Sequence, residues 1–389
     1  MSDALLHYPD KWKCLLNPFG SCFTKPQFAN FCHTTTAIAI SQYSSIRRWA
    51  GLFQPKHQST LNDFLSISPW DDKAVHNKLS TMTARLVKDS QIGIIDDTLS
   101  HHPYAEKMAH VGWFYDCLTK KEEKGNSIVT HCLHSPTLGT VPFGLELYKK
   151  EGRSKNDIAS AMIKRTQRYK KLPLYLVDSW YSNIHVLSTI KKHNSHFITE
   201  IKSNRNVTID NKKRWVREHE KSILKKQWKT ILIKESEYRY FQTSVFISGL
   251  GNVNLVFSQK YYPDDKKWSE TYYLTTDILT LSGNKVIEFI LLRGGIEGFH
   301  REAKQQLGLE HYQLRNSRGI ERYLFLVLLV YVMLMLLNQR QMRNTFEAKT
   351  IGEMREDLKA AYHTMLLQEA EHMSRKDIEE MSKKLARGL

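Results

Sequence analysis

The run Tyr323–Leu337, YLFLVLLVYVMLMLL, carries no charged side chain, so it has to lie either in a membrane or in a protein core. It falls short of the ~20 apolar residues that a spanning helix needs, and Arg322 and Arg340 stand close to its two ends. A helix that is apolar on every side is a buried one. Burying it requires a thick shell of other elements, and that requirement sets the scale of the fold. The chain supplies the material: 389 residues, 41% hydrophobic and 25% charged, the composition of a globular protein rather than a disordered one. No membrane association is expected.

The runs QIGIIDD (91–97) and LPLYLVD (172–178) are both apolar and both end in aspartate, the look of buried strands that stop at a polar edge. Further strand-like runs occupy 128–133, 138–147 and 196–202, and helices are expected over 156–171 and 183–192. This alternation gives an α/β class, a mixed sheet flanked by helices. Residues 203–283 differ. FQTSVFI (241–247), VNLVFS (253–258) and TYYLTT (271–276) alternate or are rich in aromatics, which reads as a β-rich insertion ahead of a long helical stretch from about Asn284. The expected organisation is a helical N-terminal region (1–85), a core built from 86–202 and 284–340, the insertion (203–283) and a helical C-terminal region (341–389).

Lysine and arginine outnumber aspartate and glutamate 57 to 40, a formal charge of +17. An excess of this size favours a polyanionic partner, of which nucleic acid is the commonest. SQYSSIRRWAGLF (41–53) sets basic residues beside apolar ones and reads as a DNA-facing helix of the N-terminal region. The five cysteines, Cys14, Cys22, Cys32, Cys117 and Cys132, contain no CxxC pair, which argues against a disulfide framework and a structural zinc site. A reducing cytoplasm is the expected compartment, and the polar start MSDALLHYPDKWKC does not read as a signal peptide.

A carboxylate at the end of a buried strand is costly to desolvate unless a cation or hydrogen bonds compensate. For any one such aspartate, a cap on the following helix or turn is the better reading. Two strand-end sites, Asp96–Asp97 and Asp178, together with Glu297 on a helix, point instead to a shared cation site. Hard divalent ions relieve the repulsion of gathered carboxylates, and Mg²⁺ takes one or two of them plus phosphate oxygens. On the helix, Arg293 lies four residues before Glu297 and Lys304 seven after it, which places all three near one line of its surface. The acid suits metal and the two bases suit phosphate. Gly294–Gly295 is unfavourable inside a helix, so a kink or a close backbone approach is expected there.

The motifs IIDDT (94–98), LVDSWY (176–181) and RGGIEGFHREAKQQLGL (293–309) resemble, in order and context, those of bacterial DDE insertion-sequence transposases with a ribonuclease H-like core. The long gap between Asp178 and Glu297 resembles the subgroup with a β-rich insertion and a Tyr-x2-Arg-x3-Glu-x6-Lys signature. Arg293, Glu297 and Lys304 match it, and Ile290 stands in the tyrosine position. The resemblance implies a catalytic and metal-binding set of Asp97 (or Asp96), Asp178 and Glu297 holding two Mg²⁺ ions, with Mn²⁺ able to substitute. Asp97 is preferred over Asp96 because it directly precedes Thr98. Arg293, Lys304 and His300 are the expected phosphate contacts. Also implied are cutting at the element's terminal inverted repeats, joining of the 3′-hydroxyls to target DNA, a homodimer on DNA and a nucleoid-associated location. HQSTLNDFLSISPWD (57–71) resembles the arm that binds the repeats. A flipped base stacks on an aromatic in that subgroup, and Trp268 and Tyr272 in the insertion are the candidates, with buried strand aromatics the plainer reading. Two rivals share the composition: a DNA-binding relic without activity, and a stand-alone nuclease.

Among residues left aside, the adjacent histidines of SHHPY (100–104) read as a loop pair without chelating spacing, and Asp264–Asp265 as a turn.

Overall fold

The computed structural model describes residues 8–41, 45–50, 52, 56–116, 119–345 and 349–371, with a few positions beyond (374–376, 379 and 383). Five helices precede the first strand: α1 (Asp10–Leu16), α2 (Lys25–Ile40), α3 (Ile46–Trp49), α4 (Gln58–Ser66) and α5 (Asp72–Leu86). The basic helix expected at 41–53 is described only in part, as the single turn α3. Asp71 starts α5 by accepting the Ala74 N–H at 3.1 Å, which satisfies a donor the helix cannot pair itself.

The core follows as β1 (Ile92–His101), β2 (Gly112–Asp116), β3 (Lys121–Ser135), β4 (Gly139–Leu147), α6 (Lys155–Thr166), β5 (Leu174–Val177), α7 (Ile184–Lys192) and β6 (His196–Glu200). Strand β1 pairs antiparallel with β3 and parallel with β5, and β5 pairs parallel with β6. Strand β1 does not stop at Asp97 as its apolar run suggested. The ladder to β3 continues from Asp97↔Val129 out to His101↔Gly125, because β3 is long enough to keep supplying partners. It is β5, ending at Val177, that exposes the polar edge.

Segment 203–283 holds β7 (Asn206–Ile209), β8 (Lys212–Trp215), the short α8 (Val216–Glu220), β9 (Lys229–Ile233), β10 (Ser236–Ile247), β11 (Gly251–Tyr262), β12 (Lys267–Trp268) and β13 (Tyr272–Thr276). These strands extend the core sheet, since β13 pairs antiparallel with β6. One 13-stranded sheet results, in the order β2-β3-β1-β5-β6-β13-β11-β10-β7-β8, with β4 on β3, β9 on β10 and β12 on β11.

The chain then runs through α9 (Gly283–Leu291), α10 (Gly294–Leu307), α11 (Ser317–Thr345) and α12 (Ile351–Ala370). Helix α11 carries the long apolar run. By length and composition it could cross a membrane, yet it is mostly buried inside the protein, where α2, α4, α5, α10, α12 and β4 cover it. Burying each of its leucines and valines stabilises the fold by about 1.5–3 kcal/mol. At its start Arg322, 3% exposed, reaches back to the N-terminal helices. It holds both Asp72 oxygens at 2.7 and 2.9 Å, donates to the Ser68 and Trp70 carbonyls at 2.7 and 3.1 Å, and lies 3.9 Å from the centre of the Trp70 ring.

Leu292 and Arg293 link α9 to α10, and the second glycine after them touches the sheet. A Cβ on Gly295 would fall 2.0 Å from Thr140 Oγ1 on β4, so the helix lies against the strand only because that Cβ is missing. Gly294 has open space around it.

Two variants test this packing. Arg322→Met is expected to lower the unfolding free energy by about 3 kcal/mol, read by urea titration. A loss under ~1 kcal/mol would mean that Asp72 and the carbonyls find other partners. Gly295→Ala is expected to cost about 1–3 kcal/mol, with part of it restored by adding Thr140→Ala.

Candidate active site

Strands β1, β5 and β6 lie side by side in parallel, with Ile95, Val177 and Thr199 in register. The next residue on each is acidic: Asp96, Asp178 and Glu200. The strands thus set three carboxylates on one line where β5 ends and the parallel pairing of β1 with it stops, the kind of strand end at which open α/β sheets bind ligands. Helix α10 supplies the counter-charge. Arg293 Nη1 donates to Asp96 at 2.6 Å and lies 3.7 Å from Asp178, and its Nη2 lies 3.8 Å from Glu297. Asp96 also accepts the Asp97 N–H at 2.8 Å.

Burial pushes the Asp96 carboxyl up to about 7; Arg293 opposes the rise, and Asp178 and Asp97 add to it. Glu200 is also raised, first by burial and then by Asp178. Burial works against the Arg293 charge, but Asp96, Asp178, Glu297 and Glu200 together hold its pKa above the ordinary value. One guanidinium therefore partly neutralises four acids, and the cluster is short of positive charge. The donor set consists of hard carboxylate oxygens, which fits Mg²⁺ or Mn²⁺ and not a soft thiolate metal. Among the described residues no three His, Cys, Asp or Glu side chains form a ready metal cage; here Arg293 lies among the acids.

The sequence favoured Asp97 over Asp96, and the geometry gives the two aspartates different partners. Successive strand residues point to opposite faces, and Asp97 faces away from Arg293. It takes Lys155 Nζ at 2.6 Å, the Tyr181 hydroxyl at 2.9 Å and Ser127 Oγ at 3.4 Å. Asp96 is the member of the pair that shares a partner with Asp178 and Glu297.

Lys304 and His300 also depart from expectation. Lys304 Nζ donates to the Leu99 carbonyl at 2.7 Å and pairs with Glu310, so it pins α10 to β1 two turns along from Glu297. His300 lies on the buried face of α10, where burial, with Lys304 adding, pulls its pKa down to about 3. Its Nε2 lies 2.6 Å from Thr130 Oγ1, and the threonine hydroxyl donates to the Asp96 carbonyl at 3.1 Å. With that hydrogen committed, neutral His300 donates to Thr130 and braces the backbone at Asp96. At 7% exposure His300 offers little surface to a phosphate.

Trp268 on β12 rests against Tyr261, and the Arg239 guanidinium covers its ring at 4.5 Å. Tyr272 on β13 is 48% exposed, and Glu200 is among the acids that raise its hydroxyl after burial and Tyr262. His101 lies in β1, not a loop, and contacts Asp116 at 2.8 Å and Glu310 at 3.2 Å. Asp265 pairs with Lys267 at the surface. Sequence reasoning passed over Glu200, although HFITEIK signals it as LPLYLVD signals Asp178. Lys155 carries no sequence signal and Tyr181 none beyond its place in LVDSWY; both meet Asp97 only through the fold.

The chain is similar to known proteins in sequence and in fold. The family model described as transposase DDE domain matches residues 88–333. A probable transposase for insertion sequence element IS701 from Microchaete diplosiphon is 24% identical over 280 residues, 68% of this chain and 71% of that protein. In fold, the chain is similar to the piggyBac transposase in a cryo-EM synaptic complex with hairpin DNA, at TM-score 0.52 and 9% identity, over 99% of this chain and 83% of that one. The fold is ribonuclease H-like α/β. With the family model spanning both strand-end aspartate motifs and the Arg293–Glu297 helix, the chain belongs to the DDE transposases.

Proposed function

We propose that this transposase serves an insertion sequence, cutting its ends and joining the freed 3′-hydroxyls to target DNA, with Asp96, Asp178 and Glu297 holding two Mg²⁺ ions. The observation that carries this reading is the single Arg293 guanidinium shared by acids from two parallel strands and a helix. DDE transposases use divalent metal ions and act on DNA. When bound, the ions neutralise charge at the phosphodiester and hold the attacking and leaving oxygens in line.

The protein's own groups do the rest. Arg293 partly offsets the repulsion among the acids and holds them close, and its planar fork suits a phosphate once they have another partner. Lys155 and Tyr181 fix Asp97, and His300 through Thr130 fixes Asp96, so both sides of β1 are held at the point of cleavage. Lys304 keeps α10 seated. DNA-end binding is assigned to residues 1–85, where Arg47 and Arg48 line an open polar groove with Gln58 and Asn62. Two ends have to be brought together, which calls for a homodimer on DNA.

Asp96→Asn, Asp178→Asn and Glu297→Gln are each expected to abolish strand cleavage of element-end DNA while leaving its binding nearly intact. Asp97→Asn is expected to lose only ~10–100-fold, as a supporting group would. Near-full cleavage by Glu297→Gln, or complete loss with Asp97→Asn alone, would overturn the assignment. Mn²⁺ is further expected to raise the melting temperature of the wild type and to leave Asp178→Asn unchanged. An equal rise in both would place the ion elsewhere.

A further inference from the structure

A cavity of about 920 Å³ lies between α5, β4, α6 and the start of α11, and none of the acids around Arg293 lines it. Its charges do not balance. Each of its three acids is already paired: Asp72 with Arg322, Glu146 with Arg153 and Glu321 with Lys149. Lys73, Arg165, Arg168 and Arg318 also line it, and among the described residues they have no carboxylate in ion-pair contact. Like charges gathered at one hollow disfavour one another, yet the N-terminal helices, the core and the long helix each bring at least one.

Arg165 is the costliest of the four. It is half-buried, whereas Lys73, Arg168 and Arg318 are exposed. Burial works against its charge, with Glu146 first among the groups that oppose this. Gly144 on β4 gives the guanidinium its seat, since a side chain there would strike Nη2. Its Nε is sealed without a hydrogen bond, so a ligand in the cavity meets the Nη end. Two histidines nearby add no charge. Burial, with Arg165 adding, lowers His76 to about 4 and His131 to about 3. A guanidinium in such a place is costly without an anion, and its fork matches phosphate oxygens in pairs.

Charge and depth narrow the ligand class. A lone phosphate offsets at most about half of the four charges. A DNA duplex, whose major groove alone is ~12 Å across, is too wide to bring a phosphate down to a half-buried guanidinium. A short chain of phosphates is narrow and carries several charges. We infer that this cavity binds a linear polyphosphate, free or as the tail of a nucleotide, between Arg165 and the exposed Lys73, Arg168 and Arg318. Bound there, the anion ties α5 of the N-terminal region to α6 and α11, at a site apart from the acids that Arg293 holds.

The test is calorimetric titration of the full chain, freed of divalent ions, with tripolyphosphate and separately with ATP. The wild type is expected to bind one molecule of either. Arg165→Gln is expected to weaken that binding at least about 10-fold. The same loss is expected of the double variant Arg168→Gln and Arg318→Gln, which changes only exposed side chains and so leaves the fold intact. Arg293→Gln is expected to change it less than about 2-fold. Equal affinities would assign the phosphate chain alone as the ligand, and tighter ATP binding would add a nucleoside; either result supports the inference. No binding of either compound, or a loss in Arg293→Gln as large as in Arg165→Gln, would overturn it. Losses in the cavity variants confined to duplex DNA would overturn it too, by making the cavity a DNA contact.

Discussion

The site depends on one electrostatic arrangement: β1, β5 and β6 set acids in a row where β5 ends, and a single arginine at the start of α10 holds that row together. Carboxylates so placed repel one another and resist burial, and the elevated Asp96 pKa of about 7 records that conflict. Parallel pairing makes the row unavoidable, because strands in register must present equivalent residues side by side at their ends. A fold that accepts this cost without using it would gain more from an apolar edge. The shortage of positive charge is what, in the proposed reading, lets this edge take cations and a phosphate.

The remainder of the molecule keeps that edge rigid. Helix α10 is pressed onto β4 at Gly295 and tied to β1 by Lys304, so Arg293 and Glu297 arrive over the strand ends from a fixed direction. Beneath it, α11 forms an apolar post through the centre of the fold, and Arg322 fastens the N-terminal helices to the base of that post. His300, buried and neutral, braces Asp96 through Thr130 from under the helix.

Much of this was legible in the residues. The apolar run at 323–337 required a buried helix, and the runs ending in Asp178 and at Asp96–Asp97 required strands meeting a polar edge. Glycine at 295 foretold a close approach. Which aspartate of the pair faces the site could not be read, since it depends on the face that α10 covers, and period-2 alternation allows either. Lys304 read as a phosphate ligand because helical spacing aligns it with Glu297; tertiary packing gave it the Leu99 carbonyl and Glu310 instead. The insertion read as a separate β block, yet β13 pairs with β6, and only strand pairing makes one sheet of the two.

The most direct measurement is anomalous diffraction from crystals of the protein soaked in Mn²⁺. The account requires an anomalous peak coordinated by Asp96 and Asp178, with Arg293 displaced from its present contact to Asp96. A peak on the Asp97 face, or none between β1 and β5 with Arg293 still bound to Asp96 at saturating Mn²⁺, would contradict it.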